Sequence, residues 1–118
     1  MGSELTGVTA ALRQGLGILP VKGRPLRLGM PETSRVAVAA ALAAGHEGPT
    51  LILVTSPARS LATAEEAGLY LEHGPVFRLP EREALPYEFG RTDSAVTIER
   101  SRALAALGGS ERALVVAS

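Results

Sequence analysis

The alternation of apolar runs with helical stretches predicts an α/β domain of three layers, a largely parallel sheet with helices on both faces. Two runs carry the prediction. Leu51, Ile52, Leu53 and Val54 form a continuous apolar segment between Thr50 and Thr55, and Ala113, Leu114, Val115, Val116 and Ala117 form another. Runs of this kind mark strands covered on both faces. In addition, the intervening stretches are bounded by serine, proline and glycine, the start and stop signals of helices.

Taken in order, residues 3–14 place Leu5, Val8, Ala11 and Leu12 at near-helical spacing, and Gly15 and Gly17 stop this lead-in helix. Pro20, Gly23 and Pro25 mark an irregular link, after which Leu26, Arg27, Leu28 and Gly29 make a short strand. Pro31 suits the first turn of a helix, where its missing N–H has no partner to lose, and Glu32 adds negative charge at the positive end of the dipole. The helix runs over 31–44 with an alanine-rich body that lets it approach a sheet closely, and Gly45 ends it in a left-handed conformation. After the Leu51 to Val54 strand, Ser56 caps and Pro57 opens a helix over 57–72, with Leu61, Ala64, Gly68 and Leu71 on the inward stripe. Gly74 and Pro75 stop it, and Val76, Phe77, Arg78 and Leu79 form the next strand. Residues 94–107 form the last helix, with Ala95, Ile98, Leu104 and Leu107 inward and Gly108 and Gly109 behind it. Residues 1–24 thus read as a lead-in helix and link, and residues 25–118 as a single α/β subdomain. The last strand runs into Ser118 with nothing after it to cover the sheet, which reads as a piece of a longer protein.

Composition narrows the function classes. The 118 residues are 46% hydrophobic and 20% charged, enough for one compact domain with its own core. Twelve basic residues, eleven of them arginine, balance twelve acidic ones, so no net field draws in nucleic acid or an anionic membrane. Only four residues are aromatic (Tyr70, Phe77, Tyr87 and Phe89), which leaves little to stack on exposed bases. With no cysteine the chain has no disulfide, thiolate metal site or cysteine nucleophile, and His46 and His73 are too few for a histidine metal cluster. No long apolar span or signal-peptide pattern is present, and the expected setting is cytoplasmic.

Gly29, Met30, Pro31, Glu32, Thr33, Ser34, Arg35 and Val36 sit where a phosphate-binding loop sits in such a fold, between a strand and a helix. A working GxxxxGK[ST] loop closes its backbone N–H groups around phosphates, reaches the outer phosphates with lysine and holds Mg²⁺ through a hydroxyl. Here only Gly29 fits. Ser34 replaces the second glycine, Arg35 the lysine and Val36 the hydroxyl, so conventional ATP hydrolysis is not expected and no cofactor or metal is assigned to the chain. Arg35 at a helix start keeps the capacity to meet an anion.

The connection over 80–93 is long and carries Glu81, Arg82, Glu83, Glu88, Arg91 and Asp93 beside Tyr87 and Phe89. Long loops often hold function. A catalytic carboxylate among Glu81, Glu83 and Glu88 needs a buried site with a raised pKa, and an open, charged stretch is instead read as a solvated loop pinned by Leu85, Pro86 and Tyr87. Ser56, Ser94 and Ser101 lack a G-x-S-x-G setting, and capping accounts for Ser56 and Ser94. His46 and His73 follow helix ends, where a cationic group complements the dipole.

With the loop and the connection both in view, the chain resembles the N-terminal UvrB-like module of bacterial transcription-repair coupling factor. The supporting residues are the helix and strand over 36–54 with the Gly48-Pro49 joint, then the stretch from Phe77 through Pro80 to Leu85, Pro86, Tyr87 and Glu88, then Glu99, Arg100, Ser101, Arg102, Ala103 and Leu104. The resemblance covers residues 25–118. It implies a degenerate P-loop NTPase fold like the first subdomain of UvrB, without the intact phosphate loop and the tyrosine-rich DNA-clamping hairpin of UvrB itself. It further implies a scaffold role in a parent that hydrolyses ATP with Mg²⁺ in separate translocase domains, displaces stalled RNA polymerase from DNA and recruits UvrA through a surface beyond Ser118. Two other readings compete: a small divergent nucleotide- or anion-binding protein using the helix start at Pro31 to Thr33, and a receiver-like interaction module. The latter needs clustered aspartates, and Asp93 is the sole aspartate.

Overall fold

The computed structural model describes residues 23–71, 74–81 and 94–118, together with the helical, exposed Ala11 and Gln14. Most of the lead-in helix and the connection over 82–93 lie outside the described residues. The order of elements is a 3₁₀ turn (Glu32–Ser34), α1 (Arg35–Ala44), β1 (Pro49–Leu53), α2 (Pro57–Tyr70), β2 (Val76–Leu79), α3 (Ser94–Gly108) and β3 (Ala113–Ala117). The three strands form one parallel sheet in the order β1-β3-β2.

The C-terminal strand is therefore the central one. Pro49 to Leu53 pair in register with Ala113 to Ala117 on one side, and Val76 to Leu79 pair with Leu114 to Ala117 on the other. Neighbouring residues of a strand face opposite sides of the sheet, and Leu114, Val115 and Val116 are all at most 1% exposed. Both faces of β3 are thus covered. On one, Leu114 packs with Ala43 of α1 and Ala67 of α2, and Val36, Ile52, Leu71 and Val76 extend the cluster. α3 lies against all three strands, and its Ala103 is fully buried. The steps from β1 to β2 and from β2 back to β3 cross the sheet in opposite directions, so right-handed connections place α2 and α3 on opposite faces. β3 is buried as the sequence predicts, and the helices that cover it precede it in the chain.

Several local expectations also change. No strand forms over 26–29; those residues carry no regular structure and Leu26 is 52% exposed. Two leucines between Pro25 and Pro31 offer little apolar surface to pay for ordering a paired strand. β1, expected to be covered on both faces, is an edge strand among the described residues, with Leu51 and Leu53 exposed. Pro31 precedes the 3₁₀ turn rather than opening the helix, and α1 begins at Arg35. Gly45 ends α1 in right-handed geometry (φ −85°), its N–H donating to the Leu42 carbonyl in a tightened last turn.

The inward stripes of α2 and α3 are also shifted. Ser60, Thr63 and Ala67 are the buried residues of α2, whereas Leu61 is exposed. In α3, Ala103 is buried and Ile98 and Leu104 are exposed. For α2 the cause is close packing: α1 beside it buries Ala37, Val38, Ala40, Ala41 and Ala43, and a neighbour as near as an alanine face allows admits only small side chains opposite, whereas α3 meets the strands rather than α1. The alanine-rich close approach expected of α1 holds, as do the bounds of β2 and β3 and the Ser56 cap. Ser56 Oγ accepts from the Arg59 N–H at 3.2 Å, with Pro57 in the first turn.

Candidate functional site

At the residues of the expected phosphate loop, Gly29 is not left-handed and has nothing within 4 Å of where a Cβ would lie. Pro31 is extended (φ −58°, ψ 147°), and Ser34 and Arg35 are both right-handed helical. The Ser34 N–H donates to the Pro31 carbonyl at 3.0 Å, and the Ser34 side chain makes no capping bond. A backbone anion nest alternates right- and left-handed residues, a pattern absent at these positions. Arg35 is exposed on the first turn of α1, while Val36 turns inward to the core cluster.

Arg35 nevertheless opens onto a cleft of about 610 Å³ between α1, α2 and the carboxyl end of β1. The carboxyl ends of strands are where open α/β sheets place ligands, and this volume is in the range of small-molecule sites. Val36, Ala39, Ile52 and Ala62 supply apolar walls, and Glu32, Arg35, Thr55, Arg59, Thr63 and Glu66 the polar groups. Across it, Arg59 Nη1 donates to Glu32 Oε1 at 2.6 Å, with both side chains mostly exposed. The Arg59 hydrogen bond and charge, helped by Arg35, hold the Glu32 carboxyl below the usual range. Thr63 is 9% exposed.

A second charged arrangement joins β2 to α3. Arg78 Nε and Nη2 donate to the two carboxylate oxygens of Glu99 at 3.1 and 3.4 Å, a half-buried bidentate pair. Arg100 Nη1 donates to the carbonyl of the buried Pro80. Glu81 is exposed and accepts from the Ser118 hydroxyl at 3.4 Å. Leu85, Pro86, Tyr87 and Glu88, with Glu83 and His73, lie outside the described residues. His46 follows α1 with its ring over Gly48, and Ser101 is exposed on α3.

Arg35 is thus the expected site residue that the cleft uses as a polar group, while Arg59, Thr63 and Glu66 are additions that sequence reasoning missed. One signal was there: Arg59, Thr63 and Glu66 are spaced by four and three, the step of a single helical face. What that face meets depends on α1 lying beside α2. Among the described residues no group of acidic or histidine side chains is placed to hold a metal ion, and no helix is long and apolar enough to cross a membrane. No protein-family model, curated protein or solved structure matches the chain.

Proposed function

We propose that the chain is a non-catalytic scaffold module of a transcription-repair coupling factor, whose parent releases stalled RNA polymerase and recruits the excision-repair protein UvrA. The observation that supports this reading is the meeting of two separated segments on which the resemblance rests. Arg100 of the α3 segment holds the Pro80 carbonyl at the end of β2, and Glu99 beside it pairs with Arg78. β2 and α3, the elements on either side of the connection that carries Leu85, Pro86, Tyr87 and Glu88, are thereby tied to each other. The missing lysine and metal-binding hydroxyl at Arg35 and Val36 support a scaffold rather than an ATPase. Catalysis, ATP, Mg²⁺ and DNA translocation belong on this reading to other parts of the parent.

Two measurements test it. Isothermal calorimetry is expected to give no Mg²⁺-dependent ATP heat; a saturable signal lost in Arg35→Ala overturns the scaffold assignment. In a pull-down, residues 1–118 are expected to retain UvrA poorly and a chain extended along its own reading frame to retain it well. Equal retention moves the docking surface into this segment, and retention by neither sinks the repair role.

A further inference from the structure

We propose that the cleft between α1, α2 and the carboxyl end of β1 is a Mg²⁺-independent binding site for a small organic phosphate. Arg35 and Arg59 would hold the phosphate, the body would lie over Ala39, Ile52 and Ala62, and Thr63 would supply a hydrogen bond from the wall.

The Thr63 hydroxyl is the observation that points to a ligand. Thr63 lines the cleft and is nine-tenths buried, and its hydroxyl has no hydrogen-bond partner among the described residues. A buried helical hydroxyl ordinarily turns back on its own helix, as Ser60 does in donating to the Pro57 carbonyl at 2.8 Å. Thr63, one turn later, makes no such bond. An unsatisfied buried polar group costs about 1–3 kcal/mol, and an exception calls for a reason.

The charges specify the ligand class. Two guanidinium groups from neighbouring helices converge on one mouth, and Arg59 already grips a carboxylate oxygen there at 2.6 Å. A phosphate carries more charge than Glu32 and offers several acceptors to the two planar forks, so it can displace the Glu32 carboxylate from Arg59. Glu66 lies seven residues beyond Arg59 on α2, about 10 Å along the helix. Its carboxylate repels a second anion at that end and sets the polarity, with the phosphate and its ester oxygen toward Arg35, Arg59 and Thr63 and the apolar body over Ala39, Ile52 and Ala62. The site is independent of the repair reading: either can fail while the other stands.

The test is a titration of the isotopically labelled full chain, followed by amide NMR, at constant ionic strength with chelator present. The probes are phenyl phosphate, inorganic phosphate and benzyl alcohol. Phenyl phosphate is expected to shift Arg35, Thr55 and Thr63 saturably and to bind at least tenfold tighter than inorganic phosphate. Arg35→Ala should weaken it at least tenfold, Thr63→Val severalfold, and Glu32→Gln should tighten it severalfold by releasing Arg59. Arg35 and Glu32 are exposed, so their variants decide the matter even if Thr63→Val does not fold. Shifts that never saturate, an affinity unchanged in Arg35→Ala, or benzyl alcohol acting as strongly as phenyl phosphate would each overturn the site.

Discussion

At the scale of single residues, the backbone demands glycine at Gly74 and tolerates other residues at Gly29. Gly74 has φ +94°, and a Cβ there would meet the Arg112 carbonyl oxygen at 2.9 Å, so both conformation and space are closed to alanine. Gly29 has an ordinary φ and open surroundings. Gly74→Ala is expected to cost at least ~1–2 kcal/mol and Gly29→Ala less than ~0.5 kcal/mol, read from urea midpoints at unchanged slope. Equal midpoints would refute the distinction. Glu32 gives a pH prediction of known sign. Its pKa is lowered in the folded state, first by the hydrogen bond from Arg59, then by the charges of Arg59 and Arg35. A lowered folded pKa stabilises fully above the unfolded value, and that contribution is lost as pH falls through the folded value. Glu32→Gln should therefore be slightly less stable than the parent at neutral pH, with the difference closing below the glutamate range. The effect is small because the pair is exposed to solvent. Melting temperatures that stay equally separated from neutral pH to acid would exclude the linkage.

At the scale of elements, the α1–α2 packing separates what a hydrophobic stripe suggests from what a close neighbour permits. Ala67 is fully buried against Ala43 and Leu114, while Leu61, on the stripe expected to face inward, is 48% exposed. Ala67→Leu should cost ~1–3 kcal/mol by overpacking, and Leu61→Ala less than ~1 kcal/mol. The reverse ranking in thermal or chemical unfolding would restore the leucine face. The same contrast explains how far the sequence could be read. β2 and β3 were legible to the residue because apolar runs between glycine and proline signals are local information, and so was the Ser56 cap with Pro57 behind it. The order β1-β3-β2 was not, since nothing in Ala113 to Ala117 says which strands flank it. Helix phase failed where small side chains go inward and leucines outward, a choice set by the distance between helices. The candidate cleft was legible at Glu32, Arg35 and Val36 of the loop stretch, whereas Arg59 and Thr63 acquire a role only once α2 lies beside α1.

At the scale of the whole molecule, the sheet has, among the described residues, one strand paired on both sides and two edges, and hydrogen exchange should resolve that asymmetry residue by residue. The Val54 N–H donates to the Ala117 carbonyl at 2.9 Å and the Leu114 N–H to the Pro75 carbonyl at 3.0 Å. N–H groups alternate in direction along a strand, so the Ile52 amide points to β3, while those of Leu51 and Leu53 point to the outer edge of β1. Val115 and Val116 of β3 are directed to opposite flanking strands and are fully buried. Exchange at Val115 and Val116 is therefore expected only through global unfolding, at Ile52 more readily, and at Leu51 and Leu53 orders of magnitude faster. An unpaired edge carrying two exposed leucines is a surface that proteins ordinarily cover or blunt. In the scaffold reading, the rest of the parent supplies that cover, and a chain extended beyond Ser118 should slow Leu51 and Leu53 toward the rate of Ile52. Strong protection of those two amides in residues 1–118 alone would mean that the edge is already paired. Exchange unchanged by extension would remove β1 from the contacts through which this module supports its neighbours.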